Sequence, residues 1–239
     1  MKLYNEQISN VLTLLQKENG RKLITEGTPW PEAGKQNLVL RGEMSYELGA
    51  GTLPAVSFLG VTSLKELVPA DDAFLYGRDL AEIKADAPYA RITLLRVEDQ
   101  LMNRGEEIYD AMRRFINTRY HVNPSGFMNR ISTGSKHEPV RISKVALDQG
   151  LSFAKVARLY MDAYREHKEV IAVQVIFVTL PDFNYAELTK LAQKNEEITL
   201  SLDHILRDVK MDCTTCKLQS ICNEVDGMKE LHFQTNSTK

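Results

Sequence analysis

The run "EVIAVQVIFVTL", residues 169–180, constrains the fold of this chain more than any other stretch. It is β-branched and apolar on both faces, which predicts a strand buried in the centre of a sheet. The expected fold class is therefore α+β: a mixed β-sheet from residues 38–98 and 169–179, helices packed on it, and a cysteine-rich appendage at the C-terminus.

The rest of the chain divides between helical and strand periods. Tyr4, Ile8, Val11, Leu12 and Leu15 recur at helical spacing within residues 3–17, and Gly20 is the expected stop. "TEGTPWPEAGKQ" follows as loop. From residue 38 the period changes to two. Met44, Tyr46 and Leu48 alternate with Glu43, Ser45 and Glu47, as in a strand with one wet face. "GAG" at 49–51 permits a turn, and "PAVSFLGV" at 54–61, "AFLYG" and "ARITLLRVE" at 90–98 read as further strands.

Helices come next. Ile108, Met112, Phe115 and Ile116 form an apolar stripe near 104–119. Ser143 is placed to cap a short helix ending at Gly150, and Ser152 to cap a longer one carrying Phe153, Val156, Leu159, Tyr160 and Ala163. "PDFN" breaks the chain after the central strand, and 184–209 reads as an amphipathic helix. The expected organisation is an N-terminal helix and loop (1–37), an α+β domain (38–181), and a helical linker with a Cys-rich metal-binding segment (182–239).

Charge narrows the partners. Lys+Arg 30 against Asp+Glu 32 argues against a general nucleic-acid binder. No apolar run approaches the roughly 20 residues that span a bilayer. The start "MKLYNEQISN" lacks the apolar core of a secretory signal. The expectation is a cytoplasmic protein that meets neither nucleic acid nor membrane.

All three cysteines, Cys213, Cys216 and Cys222, fall within ten positions in "DCTTCKLQSICNEVDGMKELH". In a reducing compartment such a cluster binds metal more often than it forms disulfides. CxxC sets two thiolates on one tight turn, and a third six positions on can close over the same metal ion or cluster edge. Zinc and an iron–sulfur cluster compete for these thiols, and three incidental thiols are the alternative. His232 is the first candidate for a fourth ligand, with Asp212, Glu224 and His204 behind it. Water, a small ligand or a partner's side chain are the other occupants of that position.

A second constellation lies in 113–144, where Arg113, Arg114, Arg119, Arg130, Lys136, Arg141 and Lys144 crowd an otherwise balanced sequence. Guanidinium forks and helix N-termini hold phosphates and carboxylates, so an anion site competes here with a solvated basic face. "STGSK" lacks the full phosphate-loop pattern. No catalytic residue is assigned.

Three consecutive blocks resemble a known family. "LRGEMSYELGAGTLPAVSFLGV" is similar to the opening hairpin of the middle domain of acetyl-CoA synthase, the β subunit of the carbon monoxide dehydrogenase/acetyl-CoA synthase complex. "IYDAMRRFIN" resembles that domain's Arg-xx-His-x-Phe-Ile-Asn helix, and "VRISKVALDQGLSFAKVARLYMDAYRE" followed by "VQVIFVT" resembles a later helix start and strand. The likeness is collinear over residues 38–222. It implies that Cys213, Cys216 and Cys222 match the first three ligands of the family's nickel–iron–sulfur A-cluster, with His232 standing where a fourth cysteine would.

On that resemblance the expected cofactor is a [4Fe–4S] cluster, with zinc as the alternative. Arg141 and Lys144 match residues just after the family's coenzyme A-associated loop, here "STGSKHEPV" without its tryptophan. With Arg113 and Arg114 they form the candidate anion or cofactor site, and coenzyme A is the candidate ligand. Absence of the family's later Cys-Gly-Cys leads to the expectation of no nickel site and no activity for this chain alone. The function implied is a stand-alone accessory or partner-binding protein of anaerobic one-carbon, corrinoid or acyl-CoA metabolism. Its partners would be a corrinoid protein or subunits of the dehydrogenase/synthase complex. The alternatives are an acetyl-CoA synthase-related acyltransferase or methyltransferase completed by another chain, and a zinc-stapled interaction domain.

Overall fold

A computed structural model describes residues 2–27, 29–102, 105–131 and 137–206. In chain order the elements are α1 (Lys2–Leu15), β1 (Arg21–Lys22), β2 (Met44–Leu48), β3 (Ala55–Thr62), β4 (Asp72–Tyr76), β5 (Tyr89–Val97), α2 (Asp99–Met102), α3 (Gly105–Thr118), β6 (Phe127–Asn129), β7 (Val140–Ser143), α4 (Lys144–Asp148), α5 (Phe153–Arg165), β8 (Val170–Val178) and α6 (Tyr185–Leu206). The α+β class holds. Among the described residues no helix is long and apolar enough to cross a membrane.

Five strands form a mixed sheet in the order β1-β4-β8-β5-β3. β8 lies at its centre, antiparallel to β5 and parallel to β4, while β3 runs parallel to β5. Successive side chains of a strand point to opposite faces, which accounts for the unbroken apolar run. Val173, Val175 and Phe177 enter one core, with Ile108, Met112 and Phe115 of α3 and Phe153, Val156 and Tyr160 of α5. Ala172, Ile176 and Val178 enter a second core, with Ile8, Val11 and Leu15 of α1 and Tyr185, Leu188 and Leu191 of α6. Each buried Val, Leu, Ile, Met or Phe among them contributes about 1.5–3 kcal/mol by leaving water.

The expected caps are in place. The Ser143 hydroxyl accepts from the Ala146 N–H at the start of α4, and that of Ser152 accepts from the Lys155 N–H in α5. α6 is anchored along its length rather than tethered to the body. Asn195 Nδ2 donates to the Leu59 carbonyl at 2.8 Å, and the Thr199 hydroxyl meets that of Tyr4 at 2.9 Å.

One expectation is corrected. Residues 38–98 do not all join one sheet, and the stretch read as similar to a hairpin is not a hairpin. β2 instead pairs antiparallel with β7, and β7 with β6, in a separate sheet of order β2-β7-β6. Gly49 and Gly51, at φ +72° and +59°, turn the chain out of β2. The Gly49 N–H bonds to the Ala87 carbonyl at 2.7 Å, and β3 then departs to pair with β5. β6 and β7 have only three and four residues and lie in a stretch whose Pro, Gly and charges hide any period.

Candidate functional site

Cys213, Cys216, Cys222 and His232 lie outside the described residues, as do Asp212, Glu224, Lys136 and the side chain of His204. Among the described residues no group of three or more His, Cys, Asp or Glu is placed to hold a metal ion.

The four basic candidates occupy two neighbourhoods. On α3, Arg114 Nη2 sits 2.7 Å from Glu169 Oε1, and the Arg113 guanidinium lies 5.9 Å from the centre of the Tyr109 ring. Arg141, on β7, reaches Glu47 Oε2 with Nε at 3.1 Å and the Val39 carbonyl with Nη1 at 3.3 Å. Lys144 Nζ is 3.4 Å from the Gly42 carbonyl. Arg130 takes the other oxygen of Glu47. This explains why Glu47 is only 7% exposed although its position in the β2 alternation is the wet one.

An open cleft of about 590 Å³ runs beside this second neighbourhood, lined by Ser45, Lys84, Lys144, Leu147 and Asp148. Its two ammonium groups, Lys84 and Lys144, face a single carboxylate, Asp148, so cations outnumber carboxylates here. The cleft of about 400 Å³ beside Arg114 is lined by Glu98, Asp110 and Glu169 as well as Lys168, which makes it a poor anion site.

The most unusual electrostatics lie elsewhere, in the core under β5. Arg91 is 2% exposed. Its Nη2 donates to Ser57 Oγ at 3.1 Å and to Glu138 Oε2 at 3.3 Å. Its Nη1 donates to the Tyr160 hydroxyl, and the guanidinium carbon stands 4.4 Å from the centre of that ring. Asn129 Nδ2 donates to the same hydroxyl at 3.0 Å. The second oxygen of Glu138 accepts from Arg119 Nη1 at 2.9 Å. Backbone fixes the carboxylate: the Glu138 N–H bonds to the Ala55 carbonyl at 3.1 Å, beside a bridge between His137 and Val56.

Burial alone would lower the Arg91 pKa, but Tyr160, Tyr89 and Glu138 outweigh it and hold the guanidinium above its ordinary range. Burial pushes the Tyr89 and Tyr160 hydroxyls upward, against the pull of Arg91, so both stay protonated at neutral pH. Both Glu138 oxygens are engaged, leaving no free base. The chemistry on offer is donation to an acceptor rather than proton abstraction.

Sequence reasoning placed Arg119 in the basic stretch and missed Arg91 and Glu138. A signal for Arg91 was present, since a cation inside "ARITLLRVE" must find a partner once the strand is buried. Nothing local marks Glu138, which is 47 positions away in sequence. Scanned against protein-family models the chain matches none, and a search of the curated proteins finds no relative.

Proposed function

We propose that this is an acetyl-CoA-synthase-like protein that binds an iron–sulfur cluster through Cys213, Cys216 and Cys222. It would act as an accessory or partner-binding module in one-carbon, corrinoid or acyl-CoA metabolism. The single observation that carries the reading is the cysteine pattern: every thiol of the chain lies in one CxxC with a third cysteine six positions on. The collinear resemblance of residues 38–222 gives that pattern its context.

The donor set suits the group. Three thiolates hold three corners of a cubane, and the fourth corner falls to a weaker ligand, for which His232 is the candidate. A bound cluster would supply one-electron chemistry or a Lewis-acidic iron. The protein's own part is to deprotonate and position the thiols and to set the fourth ligand. An imidazole there leaves the site one negative charge lighter than a fourth thiolate would, and protons compete for it below about pH 6.5.

The same thiols suit zinc, and metal content separates the readings. Anaerobic reconstitution should give about four irons per chain with broad charge-transfer absorption, as expected of a cubane. Cys216→Ser should lose it. His232→Ala should keep the iron but shift the reduction potential and the electron-paramagnetic spectrum. Stoichiometric zinc with no iron uptake would sink the redox reading and leave the stapled interaction domain.

A further inference from the structure

We propose that the Arg91 centre binds a small monovalent anion, a compact carboxylate or a halide, against the Tyr89 hydroxyl and Arg119 Nε. This inference stands independently of the cluster reading.

The argument begins with charge. Arg91 and Arg119 bring two positive charges and Glu138 brings one negative, so the group carries a net +1. The side chains of Arg91 and Glu138 are only 3% and 7% exposed, and that of Arg119 is 21% exposed. The buried Arg91–Glu138 pair is neutral by itself, and the partly exposed Arg119 adds a positive charge at its border that a counter-ion would balance.

Hydrogen bonding points to the same place. The Tyr89 hydroxyl is buried without a hydrogen-bond partner, and so is Arg119 Nε. Both groups are donors, and each lacks an acceptor. Tyr89 lies two residues before Arg91 on β5 and therefore on the same face of the sheet. Arg91, Tyr160 and Glu138 are its electrostatic neighbours. Arg119 borders the same group through its contact with the second oxygen of Glu138. A native core rarely leaves two donors unused around one ion pair, and a small anion supplies the acceptors they lack.

The same features set the ligand class. A monovalent anion balances the net charge, whereas a dianion such as hydrogen phosphate would carry its second charge into the core uncompensated. The Phe127, Phe153 and Phe177 rings pack around Tyr89 with centroids 6.2–6.5 Å from its own, and close packing of that kind favours a compact ligand. The partly exposed Arg119 side chain marks the route from solvent.

The test uses the full chain in halide-free sulfonate buffer at fixed ionic strength and at a mildly alkaline pH, where phosphate is a dianion. Formate, acetate, chloride and phosphate are titrated separately, with heat of binding and thermal midpoint as readouts. Formate, acetate or chloride should bind and raise the midpoint, and phosphate should not. Tyr89→Phe keeps the ring stack and removes only the hydroxyl. It should weaken binding about tenfold or more, the usual effect of deleting a hydrogen bond to a charged group. Without the anion, Tyr89→Phe should be at least as stable as the wild type, because it removes an unpartnered buried hydroxyl. At saturating anion the order should reverse. Equal response to all four anions, no response to any, or unchanged binding in Tyr89→Phe would overturn the proposal and leave the two donors to buried water.

Discussion

Glu47 on β2 and Arg141 on β7 are cross-strand partners in register, and Arg141 Nε lies 3.1 Å from Glu47 Oε2. With Arg130 on the other oxygen, one carboxylate is clamped by two guanidiniums at the heart of the small sheet. Burial acts to raise the Glu47 pKa, but the hydrogen bonds and charges of Arg130 and Arg141 prevail and hold it below its ordinary 4.5.

That lowered pKa fixes a pH dependence. A carboxyl whose folded pKa is depressed contributes stability that is present above the unfolded value and lost as pH falls through the folded one. Glu47→Gln should therefore cost about 1–3 kcal/mol at neutral pH, less than for a fully buried pair because both arginines are partly exposed. The gap between variant and wild type should narrow as pH falls below about 4.5. Urea unfolding at a series of pH values measures it, and a gap that stays constant into acid would refute the assignment.

Gly126 sets the distance between β6 and α4. Its φ is +76°, and a Cβ there would stand 2.3 Å from the Ala146 Cβ, an atom with no rotamer to escape by. Gly126→Ala should cost about 2–4 kcal/mol, combining the left-handed backbone penalty with overpacking. Gly42→Ala meets open space at an ordinary φ and should stay within about 0.5 kcal/mol of wild type. Comparing the two by thermal unfolding separates the local clash from a general intolerance of substitution.

Coenzyme A offers a third measurement. Lys84 and Lys144 line one cleft, whereas Arg114 lines another with three carboxylates. Binding of coenzyme A at low salt should weaken in Lys84→Ala and Lys144→Ala, fall with added salt, and be unaffected by Arg114→Ala. Calorimetry showing equal losses in all three variants would mean that the cleft is not the site.

The legible parts of the fold were those whose signal is local. The buried run at 170–178, the Ser143 and Ser152 caps and the apolar stripes of α1, α3 and α5 all depend on neighbours within a few residues. The period of β2 is legible but its partner is not: β6 and β7 are too short to show a period, and the β2–β7 pairing joins residues about a hundred positions apart, such as Met44 with Ser143. Glu47 was read as solvated for the same reason: the arginines that bury it come from elsewhere in the chain. The basic stretch contains Arg119, Arg130 and Arg141, but nothing in it points to the carboxylates that hold them.

The position of β8 has a consequence for how the molecule comes into being. Within the five-stranded sheet, β4 with β1 and β5 with β3 are joined only through β8. β8 is also the last of the described strands to be synthesised. Until it arrives, the inner edges of both pairs lack their partner: β4, with Phe74, Leu75 and Tyr76, and β5, with Ile92, Thr93 and Val97. Such edges are templates for pairing between chains, and the long-range closure that removes them is intrinsically slow. A chain interrupted before Val170 should therefore self-associate, whereas the insertion of one nine-residue strand pairs both inner edges of the sheet.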